Sequence, residues 1–246
     1  MREYLLLVLV TLICLSCEKE EDIPSDIPVI SFKEFEFRNQ NNPSLLDTLK
    51  VTFSFVDGGG DIGLRWDEIA PPYHSFYLFY LENGQMTTTQ DIYRTDLIKI
   101  GDLPTLPSFN CDDYVIRDSL PFQDTVYVQK NEFFYNIFVD LYVKEGNDFE
   151  LFDLTLGGAY CYINLHGRLP RLENYARSGQ RIKVPDLGSG FELLLDGLYK
   201  GEITYNLTSR SFRQTFAGKT IKLKLRIVDR KLQSSNEIET SEITFS

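Results

Sequence analysis

Apolar residues recur at every second position at both ends of this 246-residue chain and again in its middle, a period that predicts an all-β protein. Leu49, Val51, Phe53 and Phe55 alternate with Lys50, Thr52 and Ser54, and Ile221, Leu223, Leu225 and Ile227 with Lys222, Lys224 and Arg226. Each run reads as a strand with one core face and one solvated face. Phe133, Tyr135, Ile137, Val139, Leu141 and Val143 make the longest alternation. Two strands at each end, with a turn between them, predict an immunoglobulin-like β-sandwich formed by the N- and C-terminal strands. Such a fold needs about 100 residues. The rest is expected to be a large, mostly β insertion over roughly 85–200, either elaborating one sandwich or forming a second, tightly associated β unit.

The first strand starts at Val29, and its apolar positions Ile30, Phe32, Phe35 and Phe37 slip by one at Lys33-Glu34. That slip predicts a bulge or a strand that changes sheets. The second strand ends at Asp57-Gly58-Gly59-Gly60-Asp61. From Gln85 to Phe122 the sequence is loop-like, with Pro104, Pro107 and Pro121. Gly146-Asn147 is expected to turn the central strand back towards Phe149 to Leu156. Leu169 to Arg177 allows a short helix, and a polar turn from Asp229 to Asn236 leads into a last strand, Ile238 to Phe245, again with a phase slip.

Residues 1–16 combine a charged start with an apolar run from Leu5 to Ser16. The run falls short of the about 20 residues that cross a bilayer as a helix, so it reads as a cleaved export signal. Residues 17–28 read as an acidic tether and 29–246 as the β domain. With 25 basic against 36 acidic residues the net charge is -11. No basic block is present, which argues against nucleic acid and anionic lipid as partners.

Leu15-Ser16-Cys17 resembles a bacterial lipoprotein signal, in which the cysteine becomes the lipidated first residue of the mature protein. Cys14 and Leu15 stand where that signal more usually has an aliphatic and a small residue. Glu18-Lys19-Glu20-Glu21-Asp22 resembles the acidic tag of lipoproteins that Bacteroidota move to the outer face of the outer membrane. Asp57-Gly58-Gly59-Gly60-Asp61-Ile62-Gly63-Leu64 resembles an Asp-Gly-Asp-Gly-Asp-Ile-Gly-Leu loop of lipoproteins from the same group. These resemblances imply a palmitoylated Cys17 and a lipid-anchored protein facing the cell exterior.

The same loop is a candidate calcium site. Hard cations take several oxygen ligands, and acids spaced by glycine can turn carboxylates inward in a tight loop. Gly59 stands in place of the middle acid. An immunoglobulin-like topology would bring Asp229 beside Asp57 and Asp61, with Asp67 and Glu68 in reach. The alternative is a turn whose acids cap backbone N–H groups or pair with Arg230. Trp66, near Tyr73, Phe76, Tyr77, Phe79 and Tyr80, is a candidate for stacking on sugar rings, although Phe76, Leu78 and Tyr80 alternate as a core strand would. Cys111 and Cys161 either pair as a disulfide, as export permits, or are two buried thiols. Asp118-Ser119-Leu120 and Asp124-Thr125-Val126 resemble the sites at which Bacteroidota O-glycosylate exported proteins, with Ser119 and Thr125 the acceptors.

Nothing in the sequence assembles an active site. His74 and His166 lie far apart, outside any metal or nucleophile motif, so a non-enzyme is expected. The expected role is an accessory subunit docked on an outer-membrane β-barrel protein or complex; the alternative is glycan capture, and a hydrolase is the least supported reading.

Overall fold

The computed structural model describes residues 24–38, 46–118, 121–152, 165–175, 181–186, 189–197, 199–209 and 212–245. In chain order the strands are β1 (Val29–Arg38), β2 (Asp47–Val56), β3 (Phe76–Glu82), β4 (Gln85–Thr89), β5 (Tyr114–Arg117), β6 (Asp124–Lys130) and β7 (Ile137–Glu145). They continue with β8 (Asp148–Leu151), β9 (Ile182–Asp186), β10 (Ser189–Leu195), β11 (Lys200–Ser209), β12 (Thr220–Ile227), β13 (Ile238–Glu239) and β14 (Ile243–Thr244). One short helix, α1 (Phe212–Phe216), precedes β12.

The first sheet has the order β1-β2-β11-β10-β9, and the second β13-β12-β7-β8 with β14 also on β12. Their inner faces share one core. Leu49, Val51, Phe53 and Phe55 of β2, with Ile203, Tyr205 and Leu207 of β11, pack in the cluster that holds the inward residues of β7 and β12. Fully burying each such side chain contributes about 1.5–3 kcal/mol, which is why these alternations dominate the sequence. The protein is thus an all-β sandwich, as the strand periods predict.

Local irregularities fall where the patterns slip. The β1–β2 register runs to Phe32↔Phe53 and resumes at Glu34↔Thr52, leaving Lys33 as the extra residue of a bulge. The bulge lets Ile30 and Phe35 both face the core despite their odd spacing. Gly146-Asn147 closes the β7–β8 hairpin, with Glu145 opposite Asp148 and Gly146 at φ +65°. Phe133 and Tyr135 lie outside β7, because Glu132–Phe134 form a 3-10 turn in which the Asn131 side chain caps the Phe133 N–H. The final strand is two, β13 and β14. Between them Thr240 Oγ1 accepts from Leu223 N at 2.9 Å, so a hydroxyl replaces a carbonyl in the ladder.

The insertion is earlier and smaller than expected. β3 to β6 form a separate four-stranded sheet, β4-β3-β6-β5, whereas β7 to β10 complete the two main sheets. Alternation in β7 could not reveal this, since a strand in either unit hides one face. The third sheet has its own small core of Leu78, Leu97, Val126 and Val128. Its most buried charge pair among the described residues lies at the β5–β6 end. There the Arg117 guanidinium, its side chain 4% exposed, donates from Nε and Nη2 to both Asp124 oxygens at 2.6 Å. Arg117 Nη1 donates to the carbonyls of Ile92 and Arg94. Leu169 to Arg177 contains a 3-10 turn, Leu172–Asn174, instead of an α-helix within its described part.

Candidate functional site

At the end of β2 the chain buries a carboxylate. Asp57 is fully buried; its N–H donates to Tyr199 O at 2.7 Å, and its carboxylate accepts from Gly59 N and Asp61 N. Gly60, at φ +61°, closes the turn. Ile62 then forms an antiparallel bridge with Asp229, and Arg230 N donates to Asp61 O. This bridge brings Asp57, Asp61 and buried Asp229 together, with one carboxylate oxygen from each within 4.8 Å of the others. Gly63 is required at this crossing: its φ is +97°, and a Cβ there would lie 2.1 Å from Pro170 O.

Burial raises the Asp57 carboxyl above its ordinary value, against the pull of its backbone hydrogen bonds, and the charge of Asp61 raises it further. Burial raises Asp229 too, with the charges of Asp61 and Asp57 adding to it. Asp61 Oδ1 is a buried oxygen without a hydrogen-bond partner. The neighbouring cations turn elsewhere. Arg230 Nη1 contacts Gly63 O and Glu173, and Lys231 pairs with Asp26 at 3.2 Å. Asp67 and Glu68 stay away from the cluster, held by Arg65 and Arg171. A Cβ at Gly59 would lie 2.8 Å from Asp61 Oδ1 and 3.4 Å from Asp57 Oδ1, so a side chain at this position would crowd those two carboxylates. Three hard oxygen donors, partly capped by backbone N–H groups, suit a cation such as calcium that completes its shell with water or carbonyls.

The end of the tether packs on the same loop. Gly58 N donates to Ser25 O at 2.8 Å, and a Cβ at Gly58 would collide with Pro24 O.

A second candidate surface escaped the sequence reading. β3 is apolar on both sides: Phe76, Leu78 and Tyr80 face the small core, while Tyr77, Phe79 and Leu81 point the opposite way. Register sets Met86 beside Leu81, Tyr114 beside Tyr127 and Ile116 beside Thr125, and Ile100 N donates to Thr125 O. The rings of Phe79 and Tyr127 are 5.1 Å apart, and those of Tyr114 and Tyr127 5.7 Å. None of these residues is charged, and Leu81, Met86, Ile100 and Ile116 are exposed. The signal was the unbroken apolar run Phe76-Tyr77-Leu78-Phe79-Tyr80-Leu81, which one core cannot absorb.

Trp66 is 89% exposed and stands at a cleft of about 690 Å³ lined by Ile69, Phe134, Tyr175 and Phe191 among others. Trp66→Ala is therefore expected to move the melting temperature by no more than ~2 °C, because exposed substitutions stay within about 0.5 kcal/mol. A larger drop would mean that the indole serves folding. Cys111 is disulfide-bonded. Thr125 sits within β6, between ion-paired Asp124 and buried Val126. His74 is buried against Asn131, and His166 Nδ1 accepts from Val139 N; burial holds both imidazoles below their ordinary value. Cys17, Cys161 and Ser119 lie outside the described residues. No helix among the described residues is long and apolar enough to cross a membrane. No family model, curated protein or solved structure matches this chain.

Proposed function

We propose that this chain is a lipid-anchored cell-surface module, attached through Cys17 to the outer membrane, that docks an outer-membrane β-barrel protein through the outer face of its third sheet. The observation that carries this reading is the uncharged, aromatic and aliphatic face of β3 to β6 on a chain of net charge -11. Interface cores are enriched in Tyr, Phe and Met and depleted of charge, whereas monomer surfaces seldom leave such a patch bare. The lipid supports the reading by raising the local concentration of the module near embedded partners. We also read the sandwich as immunoglobulin-like: with β3 to β6 set aside, the neighbour orders β1-β2-β11-β10 and β13-β12-β7-β8 match strands A-B-E-D and G-F-C-C′. A bound calcium ion at Asp57, Asp61 and Asp229 is part of the proposal.

Purification in gentle detergent, followed by mass spectrometry, tests it. The wild type is expected to recover a β-barrel protein in stoichiometric amount and to carry lipid on Cys17. Ile100→Glu combined with Ile116→Glu is expected to lower that recovery more than tenfold while the circular dichroism stays unchanged. Equal recovery by the variant, or none by the wild type, would remove the docking face.

A further inference from the structure

The outer face of the first sheet holds a cleft of about 580 Å³, within the ~300–1,000 Å³ of ordinary ligand sites. One row of the sheet crosses it in the order Glu34, Thr52, Thr204, Glu192 and Lys183. The two hydroxyls at its centre are 2.9 Å apart, and Thr204 is fully buried, so the floor is polar and fixed.

Cations ring this floor. The bulge in β1 sets Lys33 and Glu34 together on the outer face, and Arg38, Lys50, Arg181 and Lys183 complete the rim. Five cations stand against the lining carboxylates Glu34, Glu192 and Glu202 and against Glu36, which pairs with Arg38 and Lys50 beside the cleft, giving a local excess of one positive charge on an acidic chain. Arg38 and Lys50 lean on Glu36, and Arg181 reaches Glu202 only at 4.0 Å. Lys33 and Lys183 have no ion pair among the described residues.

We propose that this cleft binds an acidic saccharide. Ammonium groups attract a carboxylate on the ligand, while the glutamates accept hydrogen bonds from its hydroxyls. A densely charged polyanion would be repelled by the three carboxylates. No aromatic side chain among the described residues lines the cleft, so neutral sugars and nucleic acid bases find no stacking platform there.

Affinity electrophoresis of the full chain in gels containing polygalacturonate, dextran or polyphosphate tests the proposal. Retardation by polygalacturonate, none by dextran, and at least tenfold weaker retardation of a Lys33→Gln, Lys183→Gln variant are expected. Both lysines are exposed, so an unchanged melting temperature should accompany the loss. The Ile100→Glu, Ile116→Glu variant should still be retarded, which separates this cleft from the docking face. Absence of retardation by polygalacturonate, an unaffected lysine variant, or stronger retardation by dextran or polyphosphate would overturn it.

Discussion

Asp124→Ala is expected to unfold the third sheet and leave the sandwich folded. The substitution removes the counter-charge of Arg117, a guanidinium whose side chain is 4% exposed and whose remaining partners, two carbonyls and the Phe122 ring, carry no charge. Breaking a buried pair from one side costs about 3–5 kcal/mol. A core of four fully buried side chains is too small to absorb that loss. Because this core is separate from the main one, hydrogen exchange should rise across β3 to β6 and stay slow in β2, β7, β11 and β12. A uniform loss of protection would show instead that the two units fold as one. Acid should act at the same place. Hydrogen bonds from Arg117 hold the Asp124 carboxyl below its ordinary value, so their stabilisation is complete above the unfolded value of about 3.9 and is lost as the pH falls through the depressed folded one. The third sheet is expected to melt first on acidification.

Calcium is expected to raise the melting temperature of the wild type, and Asp61→Asn to raise it in chelator while removing the response. Asp57 and Asp229 are lifted above the ordinary carboxyl value in the fold. Their ionisation therefore opposes folding: the penalty begins near the unfolded value of about 3.9, grows towards the raised folded values and is complete above them. At neutral pH a cation offsets it. Calcium at a hundred times its dissociation constant stabilises by about 2.7 kcal/mol, or roughly 5–11 °C in a chain of this size. Asp61 charges both neighbours, and its Oδ1 has no hydrogen bond to lose, so the asparagine removes repulsion without removing support. A wild-type melting temperature indifferent to calcium and to chelator would dismiss the cation.

The sandwich was legible because β2, β7 and β12 each bury one face, and a period of two states that directly. The slip at Lys33-Glu34 was legible as well, since a bulge is what restores Ile30 and Phe35 to one face. Asp229 joined Asp57 and Asp61 as topology required, because a loop at the end of β2 and the loop after β12 share one end of the sandwich. Arg230 did not join them, as its guanidinium found Glu173, a partner no pattern could reveal. The third sheet was hidden by its brevity: β4 and β5 have five and four residues, set among prolines and polar turns. Its apolar face was present in Phe76 to Leu81 but looked like core. The cleft on the first sheet was beyond reading, because its cations come from strands separated by more than a hundred residues and meet only through register.

The contact between the tether and the acid loop has a mechanical side. Pro24 is seven residues beyond Cys17, and seven extended residues reach about 25 Å at most. With Ser25 fastened to Gly58, the proposed lipid on Cys17 would hold the folded body on a short leash from one pole. That pole is the acid loop, so under the proposed anchoring Asp57, Asp61 and Asp229 would lie nearest the lipid headgroups, and an ion in this loop would stiffen the joint to the anchor.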